Sequence, residues 1–180
     1  MVFGLQKESS FGGISRLILT LVTLCAVFER CTATRYAIVV DAGSTGTRAF
    51  VFQEVYYEEE RIIQTFPCGK ERMGLSSYAA NLTSVAELFI PLLRTAAKNI
   101  PVNYHRITSL FVRGTAGMRL LSDGEQNALW DSLVFQLKNR RDIPFHIDRK
   151  NFGTISGYQE AFYAVLASNY IVGSIDGNRK

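Results

Sequence analysis

Apolar runs and short alternating stretches predict three strands in the part of the chain that follows residue 33. Residues 36–40 form a continuous apolar run rich in β-branched side chains, which is typical of a buried strand. Strand-forming residues resume over 48–55 after a short turn with glycine, so the two runs predict a β-hairpin. Residues 61–66 predict a third strand. Residues 67–78 contain Pro, Gly and Ser and predict a loop.

Helical signals then alternate with strand signals. Residues 84–87 are Ser-Val-Ala-Glu, a capping box that predicts a helix to about Lys98, with a kink or restart at Pro91. Residues 107–112 predict a fourth strand. A second capping box begins at Ser122, and the helix after it has an apolar stripe that we expect in the core. The stripe consists of Leu129, Trp130, Leu133, Val134 and Leu137.

The remaining elements complete an alternating order. Residues 144–147 predict a short fifth strand, and Thr154 or Ser156 caps a last helix that extends to about Tyr170. Three strands followed by helix, strand, helix, strand and helix predict a mixed sheet flanked by helices, an α/β architecture.

The N-terminus predicts a targeting segment over residues 1–33. Residues 17–28 carry no charge, and this run of 12 is short for a transmembrane helix, which needs about 20 residues. It suits the core of a signal peptide, which has about 7–15 residues, and small residues follow it. A cleaved signal, a retained anchor and a buried element stay open, and the first two predict entry to the secretory route.

Composition narrows the function classes. The formal net charge is +4 and there is no dense basic stripe, which argues against a nucleic-acid partner. Two His and the absence of a Cys-x-x-Cys pair argue against the usual zinc sites. Cys68 is the only cysteine after residue 33. Asn81 begins an Asn-Leu-Thr sequon, the acceptor sequence for N-glycosylation in a lumenal chain.

Residues 41–48 form the first candidate site. Two glycines permit a close approach of the backbone to a ligand, and successive N–H groups in such a turn form an anion-binding concavity. Asp41, at the end of a buried strand, is placed to hold a hydrated metal beside phosphates. A plain polar hairpin turn is the alternative, and the spacing is not that of the Walker P-loop. The candidate phosphate-binding residues are Gly43, Ser44, Thr45, Gly46, Thr47 and Arg48.

Two further candidate sites follow later strands. Thr115, Ala116 and Gly117 repeat the small-residue and hydroxyl chemistry just past the fourth strand, so the two loops could face each other across a phosphate. Glu160 lies in the first turn of the last helix, where a carboxylate is commonly only a partner of the helix dipole. Its apolar neighbours in the sequence suggest a partly buried carboxylate, which could act as a general base on water.

These three sites, in this order and spacing, resemble the apyrase family, the nucleoside triphosphate diphosphohydrolases. Residues 41–48, 110–121 and 155–173 look like its first three conserved regions, and residues 70–79 are also similar to the family. The resemblance implies an actin-like fold of the RNase H-like, sugar-kinase superfamily, with a nucleotide between two lobes. It implies that residues 34–173 form the first lobe and residues 174–180 a truncated end.

The resemblance also implies roles for the candidate residues. The two loops would bind the phosphates of nucleoside di- and triphosphates, Asp41 would orient hydrated Mg²⁺ or Ca²⁺ through water, and Glu160 would activate the attacking water. The sequence departs from the family at Gly114, where Ala is usual, and at Ala161 and Val165, which replace Gly and Trp. We expect these differences to adjust packing.

Other functions stay open at this stage. The family's Gly-rich Asp-Leu-Gly-Gly region does not occur before Lys180, so we expect the 180-residue chain alone to be inactive. A non-catalytic truncated homologue and another actin-like phosphotransferase, such as a sugar kinase or polyphosphatase, are the alternatives. The expected location is the secretory pathway: secreted, at the cell surface with a possible N-terminal membrane anchor, or in the Golgi or ER lumen.

Overall fold

A computed structural model of the protein describes residues 34–57 and 60–174. Its sheet has five strands in the order β3-β2-β1-β4-β5. The central strand β1 pairs antiparallel with β2 and parallel with β4; β2 and β3 are antiparallel, and β4 and β5 are parallel. The strands are β1 (Arg35–Ala42), β2 (Thr47–Tyr57), β3 (Glu60–Glu71), β4 (Ser109–Gly114) and β5 (Phe152–Thr154).

Strand alternation separates a packed face of the sheet from an open face. Ile38, Val40 and Ala42 of β1 are fully buried, as are Leu110 and Val112 of β4. Because side chains alternate along a strand, the residues between them project to the other face, where they are only half-buried. We call this second side the open face.

In the described part of the chain, three α-helices accompany the sheet: α1 (Ile90–Asn99), α2 (Asp123–Lys138) and α3 (Gly157–Ile171). The first two belong to one apolar core with the packed face, and the predicted stripe of α2 lies in that core. Short 3₁₀ helices connect the elements, at Leu75–Tyr78, Leu82–Leu88, Val102–Ile107, Met118–Leu120 and Arg149–Asn151.

The predicted element order and the mixed sheet are confirmed. The first two strands form a hairpin, the capping box at Ser122 is made, and Ser156 caps α3. The third strand is longer than predicted, because pairing with β2 continues through the bulge near Pro67 to Glu71. The segment predicted as a loop therefore begins in a strand and contains one 3₁₀ turn.

The predicted capping box at Ser84 is wrong, whereas the restart at Pro91 is confirmed. A helix through this point would need the N–H of Pro91, which proline lacks. The chain instead forms the 3₁₀ turn Leu82–Leu88 and begins α1 with Pro91 in its first turn. The Ser84 hydroxyl donates to the Asn81 carbonyl (3.4 Å), and Glu87 pairs with Arg140 (3.5 Å).

The predicted fifth strand at 144–147 is also wrong. Only His146 pairs with the sheet there, through a single bridge to Ser109. The chain then turns at Asp148, whose carboxylate accepts a hydrogen bond from the N–H of Lys150 (3.1 Å). This turn moves the fifth strand on to Phe152–Thr154.

Within the two described ranges, no helix has the length and apolar character needed to cross a bilayer. The predicted targeting segment, residues 1–33, lies outside the described residues, as does most of the stretch 174–180.

Candidate active site

Residues 43–46 form a tight loop that joins β1 to β2. The N–H of Gly43 donates to the carbonyl of Gly46 (2.9 Å), which closes the turn between the paired residues Ala42 and Thr47. The N–H groups of Ser44, Thr45 and Gly46 form no hydrogen bond with any described residue. Successive free N–H groups in a tight turn are suited to binding an anion.

The second small-residue loop lies directly beside the first. The parallel register pairs Ala42 with Gly114, so the carboxyl ends of β1 and β4 meet at one edge of the sheet. The N–H of Thr115 donates to the Ala42 carbonyl (3.2 Å), while those of Ala116 and Gly117 have no partner among the described residues. The structure thus brings together the two loops that the sequence predicted to face each other.

Glycine permits the close contact between these loops. A Cβ at Gly117 would lie 2.9 Å from Cα of Ser44, a distance that real side chains do not tolerate. A Cβ at Gly74 would overlap the Ser44 carbonyl, and the Thr47 hydroxyl donates to the Met73 carbonyl (3.2 Å). The segment around Gly74 therefore supports the first loop. Its likeness to the family was visible in the sequence, but its contact with Ser44 was not.

A row of charged residues crosses the open face at the same edge of the sheet. Asp41 is paired with Arg48 on β2 and with Arg113 on β4, and Arg48 is paired with Lys70 on β3. The Asp41 carboxylate lies 3.8 Å from the Arg48 guanidinium. Arg113 donates to the Asn151 carbonyl (2.6 Å). The Asp41 carboxylate therefore lies between two cationic residues, Arg48 on one neighbouring strand and Arg113 on the other.

Asp41 and Glu160 share an electrostatic environment. Partial burial raises the pKa of Asp41; Arg48 opposes this effect, and the negative charge of Glu160 adds to it. In proteins, Mg²⁺ usually keeps several waters and is bound through one or two carboxylates together with substrate phosphates. Among the described residues, no group of three or more His, Cys, Asp or Glu side chains could hold a metal by direct coordination. A role of Asp41 toward a hydrated cation stays a prediction.

Glu160 lies in the first turn of α3 and is held by Arg119. The Arg119 guanidinium donates through Nη1 to Glu160 Oε2 (2.9 Å) and to the Ile155 carbonyl (3.1 Å). Since Arg119 follows the second loop directly, this ion pair ties Glu160 to that loop. Arg119 lies within residues 110–121, the second region of family resemblance, and only the structure pairs it with Glu160.

The predicted apolar setting of Glu160 is wrong within the described residues. Its side chain is 46% exposed, and the neighbouring apolar side chains of α3 are exposed as well. Proximity in sequence along a helix does not bury a residue unless another element covers that face. Arg119, and not an apolar pocket, therefore holds the Glu160 side chain in place.

The glycine at position 114 has a packing explanation. A Cβ at this position would lie 2.7 Å from Cγ of Met118 and 2.9 Å from the Trp130 indole. Trp130 is almost fully buried and its indole N–H donates to the Thr154 hydroxyl (3.3 Å). The large indole therefore occupies the space that a methyl group at 114 would need.

Asn81 has the exposure that its sequon requires. The residue is exposed in the turn before Leu82–Leu88, and the Thr83 hydroxyl donates to Asn81 Oδ1 (2.8 Å). Glycosylation at Asn81 stays a prediction. Cys68 is a free, buried cysteine.

Comparison with known proteins gives relatives over most of the chain. A guanosine-diphosphatase of Schizosaccharomyces pombe is 34% identical over 149 residues, which are 79% of this chain and 25% of the relative. Ectonucleoside triphosphate diphosphohydrolase 4 of Homo sapiens is 32% identical over 156 residues, 78% of this chain and 24% of the relative. The chain thus spans about a quarter of the length of these relatives.

A solved structure shares the fold. The nucleoside triphosphate hydrolase structure from Neospora caninum superposes with a TM-score of 0.66 at 19% identity, over 91% of this chain and 36% of the other. The predicted actin-like α/β fold and the predicted resemblance are both confirmed. The profile of the GDA1/CD39 (nucleoside phosphatase) family matches residues 28–180. The chain belongs to this family.

Proposed function

We propose that this chain provides the phosphate-binding and water-activating half of an enzyme that hydrolyses nucleoside di- and triphosphates. One observation supports this most strongly: two loops with free N–H groups meet at one edge of the sheet, beside Asp41 and Glu160. The family assignment favours this activity over a sugar kinase or polyphosphatase. The relatives are named guanosine-diphosphatase and nucleoside triphosphate diphosphohydrolase, which supports nucleoside polyphosphates as substrates.

The loops would bind the terminal phosphoryl group. Free N–H groups at 44–46 and 116–117 donate to its oxygens, and the hydroxyls of Ser44, Thr45 and Thr115 are available as further donors. The Thr47 hydroxyl already donates to Met73, so its role is to hold the loop in shape. Fixed donors aimed at developing negative charge are the main source of catalysis in phosphoryl transfer.

Glu160 would act as the general base. Arg119 engages Oε2, which leaves Oε1 to accept a proton from water. The water oxygen forms a bond to the terminal phosphorus while the bond to the bridging oxygen breaks. The products are orthophosphate and a nucleotide that is shorter by one phosphate, and the proton stays on Glu160 until it exchanges with solvent.

The residues at Asp41 fit a divalent cation, Mg²⁺ or Ca²⁺. Its partly buried carboxylate would hold the ion through water molecules, as Mg²⁺ in particular retains its hydration. When bound, the cation would neutralise charge on the phosphate oxygens. Arg48 keeps the carboxylate in place from the neighbouring strand.

The proposed location is the secretory pathway or the cell surface. The exposed sequon at Asn81 supports it, and so does the prefix in the name of the ectonucleoside relatives. Expression in a eukaryotic secretory host followed by glycosidase treatment tests this proposal. A shift in mobility that Asn81→Gln abolishes is expected, whereas an unglycosylated cytosolic protein would contradict it.

The activity is tested in a two-lobe enzyme, made by joining this chain to the C-terminal remainder of the fission yeast guanosine-diphosphatase. We expect metal-dependent phosphate release from GDP. Glu160→Gln should lower kcat by about 10²–10⁴-fold and change KM little, since Glu160 is placed to contact water. Glu87→Gln, an exposed carboxylate that pairs with Arg140, is the matched control and should keep full activity.

Two results would contradict the proposal. A loss of less than threefold in the Glu160→Gln variant would make Glu160 a helix-terminus carboxylate only. The chain by itself should release phosphate at well below about 1 s⁻¹, because positioning and exclusion of water supply much of the rate enhancement. If the chain alone turned over faster than this in a Glu160-dependent manner, the second lobe would be dispensable.

A further inference from the structure

We propose that Lys70 is a further phosphate-binding residue, and that it gives the site a preference for linked phosphates over a single phosphate. This inference rests on the proposed function, because it needs the loop 43–46 to bind an anion. Lys70 lies outside the two loops, and the ligand group that it would bind is a pyrophosphate.

The sheet places Lys70 on the open face beside the first loop. Lys70 of β3 pairs with Arg48 of β2, and Arg48 pairs with Asp41 of β1, so the three side chains project to the same face. A Cβ built at Gly46 would lie 2.9 Å from Cε of Lys70. The Lys70 Cε therefore lies next to the space that a side chain at 46 would fill, and the ammonium is one bond beyond this carbon.

The charge of Lys70 is not compensated by any described residue. Arg48 lies near Asp41, Arg119 pairs with Glu160, and Lys150 pairs with Asp148. Lys70 has no ion pair and no side-chain hydrogen bond with the part of the chain that the structure describes. A cation next to a loop with free N–H donors, and without a carboxylate partner among the described residues, is available to an anionic ligand.

The two ends of the loop have different neighbours. A Cβ at Gly43 would lie 3.0 Å from the Gly46 carbonyl oxygen and 3.9 Å from the Thr115 hydroxyl, whereas a Cβ at Gly46 would lie 2.7 Å from the Glu71 carbonyl oxygen and 2.9 Å from Lys70 Cε. A phosphoryl group bound by the N–H groups of 44–46 would meet hydroxyl donors on one side and the ammonium on the other. A second phosphate linked to the first would extend to Lys70, which a single phosphate would leave free.

The test is calorimetric titration of the 180-residue chain with pyrophosphate and, separately, with orthophosphate. Lys70→Met should weaken pyrophosphate binding by about 10–100-fold, the value of a hydrogen bond to a charged group. Orthophosphate binding should weaken by less than about threefold on the same scale. Lys70→Arg should keep most of the pyrophosphate affinity, because charge and reach are preserved.

Lys98→Met is the matched control, since Lys98 is exposed at the end of α1 and away from the loop. It should bind pyrophosphate as the parent chain does, and thermal unfolding should show that all variants remain folded. Pyrophosphate binding that is equal in Lys70→Met and the parent would overturn the inference and leave the proposed function intact. A parent chain that binds neither anion would contradict the phosphate site itself.

Discussion

Helices α2 and α3 begin in the same way but differ in how deeply they are buried. Each starts with a serine capping box, at Ser122 and at Ser156, and they have 16 and 15 residues. Five residues of α2 are buried, whereas no residue of α3 is buried. Yet α3 is the more apolar helix, since its only charged residue is Glu160.

The difference lies in what each helix contacts. The core stripe of α2 packs against the sheet, and its Gln136 side chain donates to the Leu82 carbonyl (2.6 Å), which fixes it to the preceding segment. By contrast, α3 is held at its first turn, by the pairing of Arg119 with Glu160 and with the Ile155 carbonyl. Hydrophobic burial therefore positions α2, and polar contacts position the part of α3 that carries the proposed base.

The largest expected difference between the two helices comes from truncating one aromatic side chain in each of them. Trp130→Ala should lower the free energy of unfolding by about 3–5 kcal/mol, because it leaves a cavity in a packed core. Phe162→Ala on α3, where the ring is 53% exposed, should change it by less than about 0.5 kcal/mol. Urea denaturation measures both. Equal losses would mean that α3 is packed as tightly as α2 in solution.

A smaller effect comes from filling space next to Trp130. Gly114→Ala should destabilise the chain by about 1–3 kcal/mol, because the new methyl group would overlap Met118 and Trp130. Combining it with Trp130→Leu should cost less than the sum of the two single changes, by about 0.5–3 kcal/mol.

Gly124→Ala is the control for the Gly114 change. Gly124 lies in the first turn of α2, and a Cβ there meets nothing within 4 Å. This substitution should be neutral or slightly stabilising, since alanine favours a helix by about 1 kcal/mol over glycine. A Gly114→Ala variant as stable as Gly124→Ala would show that the indole moves aside without cost.

The smallest expected effect concerns the two caps. Ser122→Ala and Ser156→Ala each remove a side-chain acceptor from a helix N-terminus, worth about 1 kcal/mol. Only Ser122→Ala should shift the global unfolding curve, because α2 is part of the core. Ser156→Ala should instead speed amide hydrogen exchange within α3 alone. A global shift of the same size from both caps would contradict the comparison.

Local signals predicted the elements better than their ends. The cap at Ser122 is confirmed because it depends on a serine and a glutamate three positions later, and of the two candidates Thr154 and Ser156 the structure uses Ser156. Residues 84–87 have the same Ser-x-x-Glu pattern, but the capping box does not form there, because Pro91 interrupts the helical backbone hydrogen bonds farther along the chain. The strand at 144–147 failed because a turn at Asp148 shifts sheet pairing to Phe152–Thr154.

The amino-acid sequence by itself determined the order of elements, the two glycine-containing loops and the candidate residues Asp41, Thr115 and Glu160, because these depend on residue type and short spacing. Only the tertiary structure decided which of them meet. The parallel register of β1 and β4 sets the loops side by side, the glycines at 74 and 117 permit contact with Ser44, and chain return after β5 brings Glu160 to Arg119. These contacts join residues that are far apart in the chain, so no local pattern encodes them.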